Sequence, residues 1–133
     1  MTDEPVRIDI RGEADLVVIR KRCRELLQQL GFRPVAQTKL VTAASELGRN
    51  ALVHGGGGYA LFAQVSNGGH RGLKMTFVDE GPGIADLDQA MTDGYTSGGG
   101  LGLGLGASRR LANEFRIETA PGQGTKVEII GWS

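Results

Sequence analysis

The first third of the chain changes from a strand pattern to two helical patterns. Residues 6–10 alternate apolar and polar, as a half-buried strand does. Pro34 can open a second helix, which ends before the glycines at 55–58. An apolar stripe at helical spacing marks each helix. The first stripe ends before Gly31 and consists of Leu16, Ile19, Cys23, Leu26, Leu27 and Leu30; the second consists of Leu40, Ala44, Leu47 and Ala51. The pattern predicts a strand followed by two amphipathic helices.

The remainder of the chain predicts two hairpins and a third helix. Strand-like runs at 59–65 and 73–78 are separated by residues 66–72, which are rich in turn formers. The segment 83–97 is polar with little periodicity, and a helix marked by Leu103, Ala107 and Leu111 follows it. A second hairpin is predicted from runs at 115–118 and 125–130 around the turn 121–124. This order predicts an α+β two-layer sandwich, with helices on one face of a mixed, largely antiparallel sheet.

The composition is that of a soluble globular protein with an excess of glycine. The 133 residues suit a single domain covering 1–133, and 22 of them are glycine, more than twice the average usage of about 7%. Fifteen basic residues balance fifteen acidic ones, so we expect neither a nucleic-acid nor a membrane partner. The lone Cys23 predicts a buried thiol, and no apolar run reaches about 18 residues, so a cytoplasmic location is expected.

Glu46 and Asn50 are four residues apart and therefore share one face of the second helix. That face lies at the border of the apolar stripe, where its side chains can form the floor of a cleft. A carboxylate there can accept a proton, and an amide oxygen can ligate magnesium. A solvated helix face with no chemical role produces the same spacing.

The segment Asp79-Glu80-Gly81-Pro82-Gly83 directly follows a predicted strand. Its alternate glycines permit close approach of the backbone to a flat ring, and Asp79 can accept a hydrogen bond from an exocyclic amine such as that of adenine. A tight turn carrying a solvated acid is the alternative interpretation.

A run of glycines leads into the third helix. Glycine costs up to about 1 kcal/mol relative to alanine within a helix, so this density is hard to explain by folding alone; a plain flexible loop is the alternative interpretation. Exposed amides and the positive end of the following helix suit a phosphate chain. The residues predicted to line it are Gly98, Gly99, Gly100, Leu101, Gly102, Leu103, Gly104 and Gly106.

Two other phosphate motifs fit this run less well. The P-loop pattern does not occur. Gly102, Gly104 and Ala107 match the dinucleotide fingerprint, with Glu128 downstream, but no strand is predicted before the run and too little chain follows it. We therefore expect a phosphate-binding loop of another kind, with a dinucleotide site as a minor alternative.

The ordered motifs resemble those of the GHKL ATPase superfamily, which has the Bergerat ATP-binding fold. They cover about two thirds of the chain in this order: Glu46-Leu-Gly-Arg-Asn50-Ala51, Asp79-Glu-Gly81-Pro-Gly83, the glycine run and Gly124-Thr125. Within the superfamily, the chain looks most like the RsbT-type switch protein serine kinases of the stressosome and the anti-sigma factor kinases. The segments carrying that likeness are 45–47, 72–74, 81–84, 91–95 and 110–115.

The resemblance implies roles for individual residues. Glu46 would be the general base, Asn50 a magnesium ligand and Asp79 the acid that reads adenine. Gly81 and Gly83 would shape the adenine side, the glycine run would line the phosphates under a short lid, and Thr125 would help to hold Asp79 and a water.

The implied activity is a protein serine/threonine kinase that uses ATP and Mg²⁺. Its phosphoacceptor would be a serine of a STAS-domain antagonist or scaffold protein, and a regulator phosphatase or a sigma factor would be a further partner. Two alternatives stay open: an anti-sigma factor or nucleotide-dependent binding module, favoured by the segment from Asn50 to His54-Gly55, and the detached ATP-binding domain of a histidine kinase.

Three further polar residues have less specific interpretations. By helical phase, His54 is expected to be a core histidine with its hydrogen bonds satisfied, and His70 is expected to face solvent from a turn. Arg109 and Arg110 are expected on a solvated helix face, with phosphate or a protein partner as the alternative contact.

Overall fold

A computed structural model describes residues 4–86, 91 and 105–133, in which three helices pack on one face of a five-stranded sheet. The elements in chain order are β1 (Val6–Ile10), α1 (Glu13–Gln29), α2 (Pro34–Val53), β2 (Gly58–Asn67), β3 (His70–Asp79), α3 (Leu105–Leu111), β4 (Glu114–Thr119) and β5 (Thr125–Trp132). The strands lie in the order β1-β2-β3-β5-β4, and every pair of neighbours described is antiparallel. The predicted α+β class is confirmed.

Both long helices begin where local chemistry favours a start. The Asp15 carboxylate accepts hydrogen bonds from the backbone N–H groups of Arg11 and Gly12, at 2.8 and 3.1 Å, and so caps the first turn of α1. Pro34 opens α2 as predicted, because its fixed φ suits the first helical position and its missing N–H would have no partner there. The apolar stripes of α1 and α2 are buried against the sheet.

The core between the layers fixes the position of α2. At its centre the rings of Phe62 on β2 and Phe77 on β3 meet edge to face, with centroids 6.5 Å apart. At one end, Gly131 of β5 leaves space that the Leu40 side chain of α2 fills. Helix α2 also packs on β3, and the residues at its C-terminal end reach the end of β3, where a β-carbon at position 55 would overlap Asp79.

The first hairpin is tighter than the sequence pattern predicted. Strand β2 continues to Asn67 and strand β3 begins at His70, so the turn consists of Gly68 and Gly69 rather than residues 66–72. Both glycines have positive φ, 56° and 91°, the conformation that two-residue hairpin turns require. His70 is exposed as expected, although it lies on a strand rather than in a turn.

The second hairpin joins β4 and β5 through the predicted turn at 121–124, where Gly122 and Gly124 have positive φ. Within the described ranges, no helix is long and apolar enough to cross a membrane.

Candidate functional site

A cavity opens where β3 ends, between the C-terminal end of α2 and the start of β5. Four polar residues contribute to its wall: Asn50, His54, Asp79 and Thr125. The apolar part of the wall includes Leu47, Phe77, Ile84, Leu105 and Val127. A mostly apolar cleft with a few convergent polar groups is typical of a small-molecule site.

Asp79 is the acidic group of this cavity. Its Oδ1 accepts a hydrogen bond of 2.9 Å from the backbone N–H of Gly81. Burial raises the pKa of the Asp79 carboxyl, while the Gly81 hydrogen bond, His54 and the backbone N–H of Thr125 act in the opposite direction. The side chain is thus held in a fixed orientation beside the cavity.

The segment 79–83 packs against two neighbouring stretches of backbone. A β-carbon at position 81 would lie 2.5 Å from the Gly55 Cα, and one at position 83 would collide with the Ala120 carbonyl. The Gly122 N–H donates to the Pro82 carbonyl at 2.6 Å and fastens the segment to the β4–β5 turn. The fold therefore requires both predicted glycines, and their effect on adenine binding stays a prediction.

A cluster centred on the Thr119 hydroxyl determines how Thr125 faces the cavity. Thr119 Oγ1 accepts from the Ile84 N–H at 3.0 Å, donates to the Gly124 carbonyl at 2.9 Å and lies 3.0 Å from Thr125 Oγ1. A hydroxyl has one hydrogen, and the carbonyl takes it, so the Thr125 hydroxyl must be the donor to Thr119. The Thr125 oxygen therefore presents lone pairs, as an acceptor, to the cavity.

Asn50 and Glu46 lie on the same face of α2, one turn apart, as predicted. Asn50 lines the cavity, whereas Glu46 is half-buried one turn nearer the start of α2 and does not line it. Among the described residues no three His, Cys, Asp or Glu side chains cluster to hold a metal. Magnesium that is held mainly by phosphate oxygens and waters needs only one or two protein ligands, and the Asn50 amide oxygen fits that role.

His54 differs from the expectation of a satisfied core histidine. It follows the last residue of α2, where its backbone N–H bonds to the Asn50 carbonyl at 2.9 Å. Its Nε2 is buried and has no hydrogen-bond partner among the described residues, and the imidazole lines the cavity. The helical phase placed His54 near the core correctly, but the end of α2 turns it toward Asp79.

The structure describes only the end of the glycine run that was predicted to line the phosphates. Gly98, Gly99, Gly100, Leu101, Gly102, Leu103 and Gly104 lie outside the described residues. Gly106 is buried in the first turn of α3, next to Leu105 in the cavity wall. Arg109 and Arg110 are exposed on α3, as expected.

The dinucleotide alternative does not fit the described sheet. A Rossmann fingerprint joins two neighbouring parallel strands in a βαβ unit, whereas every pair of neighbouring strands described here is antiparallel.

Comparisons with known proteins agree with this geometry. Serine/threonine-protein kinase RsbT of Bacillus subtilis is 40% identical over 125 residues, covering 94% of each chain. Anti-sigma F factors of Clostridium acetobutylicum and Shouchella clausii are 33% and 32% identical over 64% and 69% of this chain, and the match spans 62% and 66% of their lengths. A crystal structure of a SiaB–SiaC complex from Pseudomonas aeruginosa has a chain of similar fold, with a TM-score of 0.50 at 12% identity, covering 99% of this chain and 91% of that one.

A family model adds the general class. Residues 35–130 match the histidine kinase-, DNA gyrase B- and HSP90-like ATPases, and this range contains every polar residue of the cavity wall. The similarity to RsbT extends along nearly the whole chain. The chain belongs to the family of histidine kinase-, DNA gyrase B- and HSP90-like ATPases.

Proposed function

We propose that the protein is a cytoplasmic serine/threonine kinase that transfers the γ-phosphate of ATP to a serine of a STAS-domain partner. In this role it acts as a switch in a bacterial stress or sigma-factor regulatory pathway. The observation that carries the proposal is the match to a serine/threonine-protein kinase over 94% of both chains, which includes the elements on either side of the cavity. The matches to anti-sigma F factors cover 64–70% of the chain.

The residues of α2, β3 and β5 support a division of roles. Asp79 and Thr125 accept hydrogen bonds from the adenine end of ATP, and Asn50 ligates Mg²⁺, which neutralises charge on the phosphates. The serine oxygen of the partner forms a bond to the γ-phosphorus, the bond to the ADP oxygen breaks, and Glu46 takes the serine proton. Glu46 precedes the cavity residue Leu47 and is only half-buried, which supports access of a partner side chain to its carboxylate.

The decisive experiment is phosphotransfer to a purified STAS-domain protein from the same organism. The protein, ATP, magnesium and the STAS protein are incubated together, and phosphoserine is located by mass spectrometry. Glu46→Gln should lower the transfer rate by at least about 100-fold, because it removes the general base, while the Kd for ATP stays unchanged.

Glu25→Gln is the matched control, because Glu25 is also a half-buried helical glutamate but pairs with Arg22 on α1. It should transfer phosphate at the wild-type rate. The absence of phosphoserine with the wild-type protein would contradict the kinase proposal, and normal transfer by Glu46→Gln would contradict the role of Glu46.

A second function is favoured by the similarity to anti-sigma F factors and by the segment from Asn50 to His54, which resembles theirs. In this case, bound nucleotide would set the shape of a module that captures a sigma factor. Immobilised protein with ATP and magnesium distinguishes the two functions: retention of a purified sigma factor supports the module, whereas retention of the STAS protein with its phosphorylation supports the kinase.

A further inference from the structure

The imidazole of His54 has an unusual position in the cavity. Its Nε2 is buried and has no hydrogen-bond partner in the part of the chain that the structure describes. The ring lines the same cavity as Asp79 and Thr125. Most buried polar atoms in proteins have a partner, so an unpartnered one in a cavity wall points to a ligand that supplies the partner.

The environment of His54 favours the neutral form of its ring. Burial lowers the pKa of the imidazole, and the nearby Asp79 carboxylate opposes this shift as the smaller effect. The Asp79 carboxylate accepts hydrogen bonds from the backbone N–H groups of Gly81 and Thr125, and it acts on the ring through its charge. A neutral imidazole has one N–H, so Nε2 can serve as a donor when Nδ1 carries no proton.

The other polar groups near the adenine end of the cavity are acceptors. Asp79 is a carboxylate, and the bond from Thr125 to Thr119 leaves lone pairs of Thr125 facing the cavity. Among the described lining residues only Asn50 and His54 have a side-chain N–H, and Asn50 is assigned to magnesium above. A ligand with both donors and acceptors therefore meets its donor at His54.

We propose that His54 is a specificity-determining residue that donates a hydrogen bond from Nε2 to a ring nitrogen of adenine. The 6-amino group of adenine has a ring nitrogen on either side, N1 and N7. When Asp79 accepts from the amine, a donor beside Asp79 meets one of these two acceptors. Guanine has a carbonyl oxygen at the position of the amine, opposite the acceptors Asp79 and Thr125. Binding of guanine is disfavoured because two acceptors cannot form a hydrogen bond with each other. This inference rests on the proposed ATP binding.

Binding of ATP analogues tests the inference directly. The Kd values of ATP, 1-deaza-ATP and 7-deaza-ATP are measured for the wild-type protein by calorimetry. One analogue should bind about tenfold more weakly than ATP, because a C–H replaces the nitrogen that His54 contacts. The analogue that loses affinity identifies that nitrogen. If both analogues bind as tightly as ATP, the proposal is overturned. This test uses only the wild-type protein, so its result does not depend on whether a variant folds.

Variants then connect the effect to His54. In His54→Leu, ATP should bind about tenfold more weakly and the difference between ATP and the sensitive analogue should disappear. His54→Gln, which retains an N–H donor, should restore part of that difference, a recovery that a merely structural role of the ring would not produce. The exposed His70 provides the control: His70→Leu should keep the wild-type series of Kd values.

The outcomes separate this inference from the proposed function. Tight binding of ATP with no dependence on ring nitrogens, or a dependence that persists in His54→Leu, overturns the role of His54 and leaves the kinase proposal intact. A wild-type protein that binds no ATP overturns both.

Discussion

Gly55 lies so close to Asp79 that a β-carbon at position 55 would overlap the Asp79 carboxyl group. The contact joins the residue after the C-cap of α2 to the last residue of β3, the two elements that supply most polar residues of the cavity. The φ of Gly55 is not positive, so its backbone conformation does not require glycine. Glycine is required because a side chain at position 55 has no space. Gly55 is thus needed to keep Asp79 in place.

Gly55→Ala should therefore displace Asp79 and raise the Kd for ATP by more than about tenfold, since the ligand loses a buried acceptor. Gly56→Ala is the control from the same loop: Gly56 has a φ of 71°, and a β-carbon there would meet no atom of the described residues within 4 Å, so alanine costs about 1 kcal/mol of strain without touching Asp79. Calorimetric titration with ATP measures both variants, and equal affinity in Gly55→Ala and wild type would contradict the proposed role of Asp79.

Thr119 should contribute measurably to stability. Thr119→Val keeps the shape of the side chain but leaves the Ile84 N–H and the Gly124 carbonyl without the hydroxyl, which should lower the free energy of unfolding by about 1–3 kcal/mol. Thr119→Ser keeps the hydroxyl and should lose less than about 1 kcal/mol. Urea denaturation compares the two variants, and equal losses would show that the hydroxyl network has no stabilising effect.

Helices and hairpins were predictable because their signals are local. Pro34 opens α2 and the stripe through Leu47 faces the core, since helical periodicity and proline geometry depend on neighbouring residues alone. The ends of β2 and β3 were not predictable in the same way: polar residues such as Asn67 and His70 resemble a loop but pair across the hairpin. Pairing with the opposite strand, rather than composition, extends those strands.

The cavity was predictable only where a motif marked it. Asn50 and Asp79 belong to recognisable segments, whereas Thr119 is ordinary in sequence and gains its role through a bond to Ile84, 35 positions away. His54 was misjudged because helical phase predicts which side of the helix a residue lies on and gives no information on its hydrogen-bond partners. An Asn followed four positions later by a His just before a glycine segment was the available signal.

Stability should fall with decreasing pH through His54. Burial lowers the pKa of its imidazole from the ordinary 6.5, so as pH falls below that value the unfolded chain takes up a proton that the folded chain resists. The stabilisation is present above pH 6.5 and is lost as pH falls through the folded pKa. Asp79 acts in the opposite sense: its raised pKa makes the folded state bind a proton more readily as pH falls.

The measurement is denaturation at several pH values from 7.5 downward in an Asp79→Asn background, which removes the opposing titration. Adding His54→Gln should make the stability less dependent on pH, whereas adding His70→Gln, at an exposed site, should not. A pH dependence that is the same with and without His54 would rule out the burial effect.

Cys23 should be unreactive in the folded protein. Its side chain is fully buried in the core, with Sγ 3.6 Å from the Met75 sulfur. Burial raises the pKa of the thiol to about 12, opposed by the charge of Arg24, so almost no thiolate exists at pH 8. A thiol reagent at pH 8 should react only after denaturant is added, and equally fast reaction in native and denatured protein would contradict the buried position.

The central claim is that the cavity at the end of β3 binds the adenine of ATP, and its most direct test is calorimetric titration of Asp79→Asn with ATP. The amide cannot reproduce both acceptor oxygens of the carboxylate, so the Kd should rise by at least about tenfold. Asp9→Asn, on the edge strand β1 where Asp9 pairs with Arg7, should bind ATP as the wild type does. An unchanged Kd in Asp79→Asn would contradict the assignment of this cavity to adenine.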